Sequence, residues 1–252
     1  MEKEEILLQK RLQELAKRSY DKGIYCFTEF LDPAGLDLLL RMEKELKYAG
    51  ITLFGGAQQC DRRVIRFGNP EELGYEENFP IACIQIEPLQ EKFSEQLSHR
   101  DYLGALMNQG IERSYLGDIL IKEKKAYLFC LDRIEKYLLE SLTRIRHTDV
   151  RCTKIEEAIE FLKPERQREI VLCPSERIDV VIAKLYHLSR TQSTEMFRSK
   201  KIFVNSRLCE NNSYQLKADD IVSVRGFGKF QYMGISHQTK KGKLSIQADI
   251  YK

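Results

Sequence analysis

The sequence lacks the clusters of cysteine and histidine that metal and redox sites require. Its seven cysteines lie at least 21 residues apart, so no CxxC pair exists, and the four histidines are scattered. Most cysteines sit in apolar runs such as IACIQI and YLFCL, which indicates buried free thiols. We therefore predict no metal and no cofactor, and four scattered histidines support no Ser-His-Asp or Cys-His arrangement.

Long apolar segments are also missing. No run approaches the ~20 residues that a membrane-spanning helix needs. The N-terminus, MEKEEILLQKRLQELAKR, is charged throughout and lacks the apolar core of a signal peptide. The balance of 42% hydrophobic and 31% charged residues is typical of a globular protein. We expect a cytoplasmic protein with no membrane partner.

Acidic residues are scarce in the C-terminal third. Residues 174–252 contain 14 Lys and Arg against 7 Asp and Glu, a balance of +7, whereas residues 1–173 contain 27 against 31, a balance of −4. A basic third on an acidic body favours a polyanionic partner for that third. On charge alone, an uneven surface without functional meaning is the alternative.

Helical and strand patterns follow each other along the chain and predict an α+β protein. Residues 1–75 indicate a mostly helical N-terminal segment. Residues 76–155 show the order β-α-β-β-α-β of the ferredoxin-like fold, which RNA-recognition domains share with many enzymes. Residues 156–174 are predicted to be a connector that contains a short helix and a strand-like run. Residues 175–252 are predicted to be a final domain that ends in a β-hairpin.

Cations of the final domain are predicted to share one face of a helix. Ser189 and Gln192 form a capping-box pair at the start of this helix. At 100° per residue, a sector of about 80° contains Arg190, Thr194, Arg198 and Lys201. Such a stripe suits a phosphate backbone, since Arg offers a fork of donors and Lys a point charge. A solvated helix face is the alternative.

More basic residues follow in the last strands. Arg225 and Lys229 flank a glycine-rich loop, and Phe227, Phe230 and Tyr232 are predicted to be available for base stacking. The segment QTKKGK is predicted to be a basic hairpin turn between two strands.

This final domain resembles the S4 RNA-binding domain, a helix-helix-strand module that grips structured RNA. The resemblance is carried by Arg177, Asp179, Ala183, Leu188-Ser189-Arg190, Ile202, Val204-Asn205, Asp220, Ile221 and Val224-Arg225. Two positions depart from it: many relatives have glycine where this chain has Lys200 and Ser206. The first change adds charge, and the second is expected to alter the turn after Asn205. Arg177 and Asp179 are interpreted as helix-start residues that pair with each other or with the neighbouring turn.

The predicted RNA-binding residues of this domain are Arg177, Ser189, Arg190, Thr194, Arg198, Lys200, Lys201, Asn205, Arg207, Arg225 and Lys229.

Further motifs, most of them upstream of this domain, extend the resemblance to the bacterial YlmH family over nearly the whole chain. They are FTEFLDP, FGG followed by Asp61-Arg62-Arg63, FSEQLSHRDYLGALMNQGIERSYLGDIL, and SVRGFGKF. The family implies an RNA-recognition-like domain before the S4 domain and a factor that binds ribosomal RNA or tRNA. Members are linked to the rescue of stalled large ribosomal subunits, and their genes often lie among cell-division genes. We expect a non-catalytic protein that is monomeric off the ribosome.

The motif His99-Arg100-Asp101 leaves alternatives open. A kinase loop needs Asn five positions after the Asp, and this chain has Leu106 there. Asp101 or Ser98 is predicted to cap a helix, while His99 and Arg100 either brace the middle domain or touch RNA. An RNA-modifying enzyme that uses His99 and Asp101 is the rival hypothesis, and a protein adaptor that uses the N-terminal helices is a third.

Overall fold

The computed structural model describes residues 3–156 and 166–251, and the chain forms two compact units, Met1–Lys163 and Pro164–Lys252. Helices and antiparallel sheets occur in both units, which confirms the predicted α+β class. The short helix predicted in the connector falls on residues 157–165 and lies outside the described residues. None of the described helices is long and apolar enough to cross a membrane.

The first unit contains five helices and eight strands among its described residues. The helices are α1 (Lys3–Lys22), α2 (Pro33–Leu46), α3 (Pro70–Leu73), α4 (His99–Asn108) and α5 (Glu135–Ser141). The strands are β1 (Cys26–Phe27), β2 (Ile51–Phe54), β3 (Val64–Phe67), β4 (Ile81–Pro88), β5 (Leu116–Lys122), β6 (Lys125–Leu131), β7 (Arg144–Ile145) and β8 (Thr148–Ile155).

The N-terminal part of this unit packs α1 and α2 on a small antiparallel sheet of order β1-β3-β2. Leu12 of α1 and Leu39 of α2 are buried against Ile65 and Phe67 of β3. Asp32 starts α2 because its carboxylate accepts the N–H of Gly35 at 2.9 Å, as an N-cap does. The segment predicted to be mostly helical therefore also contains a sheet.

The middle part is a second sheet of order β5-β6-β4-β8-β7, antiparallel throughout. Helices α4 and α5 cover one face, where Tyr102 and Leu138 pack on Ile84, Ile86 and Leu128. The elements follow each other along the chain in the predicted order β-α-β-β-α-β, except that the short strand β7 is added between α5 and β8. The ferredoxin-like assignment itself stays a prediction.

The other face of the middle sheet packs against the N-terminal part. Phe30, Cys60 and Val64 form one buried cluster with Tyr127 and Phe129 of β6. This cluster, which we call the shared core, joins residues that are far apart in sequence.

The shared core is tightly fitted at two glycines. A Cβ at Gly56 would lie 2.1 Å from the ring of Phe129, and one at Gly117 would lie 2.8 Å from the ring of Phe30. Only glycine allows the chain to approach these rings so closely.

The second unit is a six-stranded antiparallel sheet with two helices on one face. The helices are α6 (Ile178–Leu185) and α7 (Arg190–Arg198), and the strands are β9 (Arg166–Cys173), β10 (Ile202–Val204), β11 (Arg207–Leu208), β12 (Ile221–Val224), β13 (Gly228–Gln238) and β14 (Leu244–Tyr251). The strand order is β11-β10-β12-β13-β14-β9. Strand β9 lies within the predicted connector, and it pairs with β14 along its whole length, from Arg166 opposite Tyr251 to Cys173 opposite Leu244.

Helices α6 and α7 cover the face of this sheet on which Val222, Val224, Phe230 and Tyr232 are buried. The prediction that Phe230 and Tyr232 stack on bases is wrong, because alternate residues of β13 point to the core and these two are 0% and 1% exposed. Phe227, in the preceding turn, is 47% exposed. We call the opposite side of the sheet the outer face.

Candidate nucleic-acid interface

Helix α7 presents two of the predicted arginines to solvent. Its start is the predicted capping box: the Ser189 N–H donates to Gln192 Oε1 at 2.8 Å, and the Gln192 N–H donates to Ser189 Oγ at 3.1 Å. Ser193 is buried, and its hydroxyl donates to the carbonyl oxygen of Asp179 in α6 at 2.8 Å. With this side of the helix fixed, Arg190 and Arg198 are exposed on the other side.

Lys201 does not belong to this helix face, contrary to the prediction. Helix α7 ends at Arg198, and Lys200 has a φ of 53°, in the left-handed region. The N–H groups of Lys200 and Lys201 donate to the Phe197 and Met196 carbonyls, at 3.0 and 2.9 Å, which closes the helix end. The 100° rotation per residue therefore stops before Lys201. Lys201 lies instead beside Arg225, whose N–H donates to the Lys201 carbonyl at 3.0 Å.

The turn after Asn205 keeps a conformation that favours glycine. Asn205 and Ser206 have φ values of 50° and 66°, as the two central residues of a type I′ hairpin turn require. This turn joins β10 to β11, with Val204 opposite Arg207. The expected alteration at Ser206 is therefore not seen.

Several predicted RNA-binding side chains make hydrogen bonds within the protein. Asn205 Nδ2 donates to Asp220 Oδ1 at 2.8 Å, and Asn205 Oδ1 accepts the Ile221 N–H at 2.9 Å. Thr194, which is half-buried, donates to the Arg190 carbonyl at 3.0 Å. These two side chains support local structure.

Arg177 pairs with Asp179, one of the two partners predicted for it. Its Nε and Nη2 donate to the two carboxylate oxygens of Asp179 at 3.1 and 2.8 Å, and these hydrogen bonds raise the pKa of Arg177. Arg177 is the N-cap residue of α6 and Asp179 lies in its first turn, so both are helix-start residues, as predicted.

The predicted cations thus fall into separate groups. The α7 group consists of Arg190 and Arg198, and the strand-end group, all exposed, consists of Lys200, Lys201, Arg207 and Arg225. Lys229 belongs to the outer face. Arg225 reaches this face as well, because its guanidinium carbon lies 5.0 Å from the ring centre of Phe203.

His99, Arg100 and Asp101 form the first turn of α4. Asp101 accepts hydrogen bonds from the Ser98 N–H and hydroxyl at 2.8 and 2.7 Å, which confirms the predicted capping at this helix start. The Ser98 hydrogen bonds lower the pKa of Asp101, and Arg146 adds to this effect. His99 and Arg100 are exposed. Partial desolvation, with the positive charge of Arg113, lowers the pKa of His99.

A polar junction beside the shared core was not predicted from the sequence. Asp118 Oδ2 accepts the backbone N–H groups of Asp61 and Arg62. Arg62 donates to the carbonyl oxygens of Leu116 and Phe30, both at 2.9 Å. Arg62, part of the basic run noted in the sequence, therefore ties the N-terminal part to β5.

Arg113 completes this junction. It donates to the Leu116 carbonyl at 2.6 Å, and desolvation together with the nearby charge of Arg62 lowers the pKa of Arg113 to about 10. The sequence signal was present, since both the Asp61-Arg62-Arg63 run and the GDI motif around Asp118 stood out. Nothing in their spacing showed that they meet.

The described residues differ in the chemistry that they offer to a ligand. No group of three His, Cys, Asp or Glu residues within 3–156 and 166–251 is arranged to hold a metal ion. Burial raises the pKa of Cys83 to about 12 and that of Cys152 to about 11, so these thiols are weak nucleophiles at neutral pH. Exposed arginine and lysine side chains, in contrast, are the groups that contact phosphates.

Comparisons with known proteins agree with this arrangement. Residues 75–158 match the family described as "Putative RNA-binding domain in YlmH", and residues 176–222 match the S4 domain. The "Ribosome-associated protein quality control protein P2" of Bacillus subtilis (strain 168) is 30% identical over 224 residues, which cover 87% of this chain and 84% of that protein. A solved structure, "Cell division protein ylmH from Streptococcus pneumoniae", is 21% identical, with a TM-score of 0.47 over 62% of this chain and 93% of its own. The chain belongs to the YlmH family and carries an S4 domain in its C-terminal part.

Proposed function

We propose that this protein is a non-catalytic RNA-binding factor whose second unit grips structured ribosomal RNA or tRNA. The observation that carries the proposal is the exposure of Arg190 and Arg198 on the solvent side of α7, within a unit of positive charge. Residues 164–252 contain 16 Lys and Arg against 9 Asp and Glu, a balance of +7, whereas residues 1–163 contain 25 against 29, a balance of −4.

The α7 group is suited to a phosphate backbone because the helix is held rigidly. The capping box fixes its start, the buried Ser193 and Phe197 fix its inner side, and the left-handed Lys200 fixes its end. Arginines on a fixed helix lose less conformational freedom on binding than arginines on a loop. Each phosphate that they neutralise releases counterions.

The ribosome is the proposed site of action. The Bacillus subtilis relative, similar over most of both chains, is named as ribosome-associated and as a quality control protein. We propose the same setting here, on the large subunit and in the rescue of stalled translation. A link to cell division stays a prediction of the family resemblance.

The environment of Asp101 supports a binding role for the middle part. This carboxylate is held by Ser98 and Arg146 at the start of α4, and its lowered pKa keeps it ionised at neutral pH. An ionised carboxylate cannot act as a general acid, and its lowered pKa makes it a weak general base, since efficient acid–base groups have a pKa near the working pH. We therefore favour an RNA-contacting or bracing role for His99 and Arg100 over the rival of an RNA-modifying enzyme.

Filter binding across salt tests the proposal. The full-length protein is titrated with large-subunit ribosomal RNA fragments and with tRNA, and an unstructured RNA of equal length is the control. We expect tighter binding to the structured RNAs and an affinity that falls linearly with the logarithm of salt concentration, by about 0.9 in slope per phosphate contact. An affinity independent of salt would contradict phosphate contacts. In cells, the protein can be cross-linked to its RNA and the bound RNA sequenced. Recovery of other RNAs without ribosomal RNA or tRNA would contradict the ribosomal setting.

A further inference from the structure

Part of the second unit lies outside both matched families. The S4 match ends at residue 222, so β13, β14 and β9 are covered by neither match. These strands supply half of the six-stranded sheet and much of its outer face. Neither family match assigns a role to this surface.

A tyrosine between two cations marks the outer face. The pairing of the strands places Lys229, Tyr251 and Arg166 in one row across β13, β14 and β9. The Arg166 guanidinium carbon lies 4.9 Å from the centre of the Tyr251 ring, and Lys229 Nζ lies 5.5 Å from it. We call this trio the Tyr251 platform. Cation–π contacts of this kind hold flexible cations in place above a sheet.

A second cation–aromatic pair extends the row. Phe203 of β10 lies opposite Ser223, and Ser223 lies opposite Lys229, so the row continues across the sheet. Arg225, two residues beyond Ser223, stands over the Phe203 ring at 5.0 Å. From β9 to β10 the row crosses four strand spacings, about 19 Å. Three cations are therefore arranged along one side of the sheet.

Negative charge on this face is compensated. Asp249 accepts two hydrogen bonds from Arg168, at 2.7 and 2.9 Å, and these lower the pKa of Asp249. Along the paired residues of β13, β14 and β9 on this face, the acid Asp249 stands against three cations, Lys229, Arg166 and Arg168. A polyanion approaching the outer face would thus meet net positive charge.

We propose that the outer face, at the Tyr251 platform and at Arg225, which stands over the buried ring of Phe203, is a second contact surface for an RNA phosphate backbone. This face is separate from the α7 group, because α7 packs on the opposite face of the sheet. The α7 arginines lie on the solvent side of that helix, so the sheet and a helix about 10 Å thick separate the two surfaces. The second unit then contacts RNA on two sides. This inference rests on the proposed function, since it assigns a second surface to the same kind of ligand.

The experiment compares salt titrations of RNA affinity for full-length variants. The platform variant carries Arg166→Ala and Lys229→Ala, and the matched control carries Lys240→Ala and Lys241→Ala, which remove equal charge from the hairpin turn. We expect the platform variant to reduce the salt slope by about 1.8. Between 50 and 200 mM salt, its loss of affinity would then be about tenfold smaller than that of the wild type. The control is expected to change the slope by less than half as much.

Substitutions of Tyr251 test the geometry of the platform without changing the net charge. Tyr251→Ala removes the ring on which both cations rest and leaves the net charge unchanged, so we expect weaker binding of two- to fivefold. Tyr251→Phe keeps the ring and is expected to bind like the wild type. Thermal melts near the wild-type value are required of each variant.

The outcomes distinguish the two proposals. Absence of salt-dependent RNA binding by the wild type would overturn the proposed function and this inference together. Binding by the wild type with equal losses in the platform variant and its charge-matched control would overturn this inference alone, because affinity would follow net charge. A platform variant that keeps the RNA affinity of the wild type would also overturn this inference. If that variant lost binding to polyglutamate in a parallel titration, the occupant of the outer face would be an acidic protein.

Discussion

Single residues in the first unit show how closely its two parts are fitted. Gly56 has a φ of 97° and faces the ring of Phe129, so it combines a conformation that side chains rarely adopt with a position where no side chain fits. The FGG motif noted in the sequence thus has a packing explanation.

Replacing Gly56 with alanine should destabilise the first unit strongly. The new Cβ would lie 2.1 Å from Phe129, and overpacking together with the positive φ predicts a loss of about 2–4 kcal/mol in the free energy of unfolding. Urea denaturation followed by circular dichroism measures it. Gly110→Ala is the matched control: its φ is 76°, but no atom lies within 4 Å of its Cβ, so we expect about 1 kcal/mol. Equal losses in the two variants would contradict the packing argument.

Residue-level predictions from the sequence succeeded where the cause is local. Ser189 with Gln192, and Ser98 with Asp101, were expected at helix starts and are found there, because capping depends on residues three positions apart. The expectation for Tyr232 failed because its burial depends on α6 and α7, which lie elsewhere in the chain.

At the scale of elements, α7 and the turns around β10 carry the argument for binding. The two arginines of this helix lie on its solvent side and take no part in the core. Its two arginines can therefore be removed with little effect on folding, since exposed substitutions usually change stability by no more than ~0.5 kcal/mol.

The double variant Arg190→Ala and Arg198→Ala should melt like the wild type and bind RNA more weakly. Each lost phosphate contact is expected to reduce the slope of log affinity against log salt by about one. A salt titration by filter binding measures the slope. Glu195→Gln on the same helix is the control, and it should not weaken binding because it removes a charge that repels phosphates. An unchanged slope in a normally folded double variant would show that α7 is only a solvated helix face.

Glycine substitutions at Lys200 and Ser206, two residues with positive φ, test stability and charge separately. Ser206→Gly should raise the free energy of unfolding by about 0.5–1 kcal/mol, because glycine adopts a positive φ without strain, and it should leave RNA affinity unchanged. Lys200→Gly should stabilise by a similar amount but lower the salt slope by about one, since it also removes a cation. Thermal melts and salt titrations of both variants give the comparison. A loss of stability in either would mean that the lysine or serine side chain makes a contact that outweighs the strain.

Element boundaries were harder to predict than element types. The capping box at the start of α7 was visible in the sequence, but its end was not, because Lys200 in a left-handed conformation has no signature of its own. Strand β9 corresponds to the strand-like run of the predicted connector, but its membership in the final sheet is not predicted, for a related reason. Its partner, β14, lies about 80 residues further on, with Arg166 opposite Tyr251, and a local pattern does not show such pairing.

At the scale of the whole molecule, matched families and compact units do not coincide. The first family match covers residues 75–158, but the compact unit is Met1–Lys163. The difference is the N-terminal part, which buries one face of the middle sheet through the shared core. That face is therefore closed to base stacking in the first unit.

A fragment of residues 75–158 should aggregate and should not remain a folded monomer. Without the N-terminal part, Cys83, Tyr127, Phe129 and Leu131 would face water, and exposed apolar patches of this kind promote aggregation. We expect the fragment to bind the dye ANS and to elute early from a sizing column, whereas residues 1–163 should do neither. A fragment that stays monomeric without binding ANS would contradict the shared core.

The shared core also has a consequence for the order of events during synthesis. Phe30, Cys60 and Val64 are translated before their partners Tyr127 and Phe129, and the gap from Val64 to Phe129 is 65 residues. At roughly 5–20 residues per second, the nascent N-terminal part waits about 3–13 seconds with an apolar surface uncovered. During this interval the nascent chain presents an apolar surface that chaperones can bind.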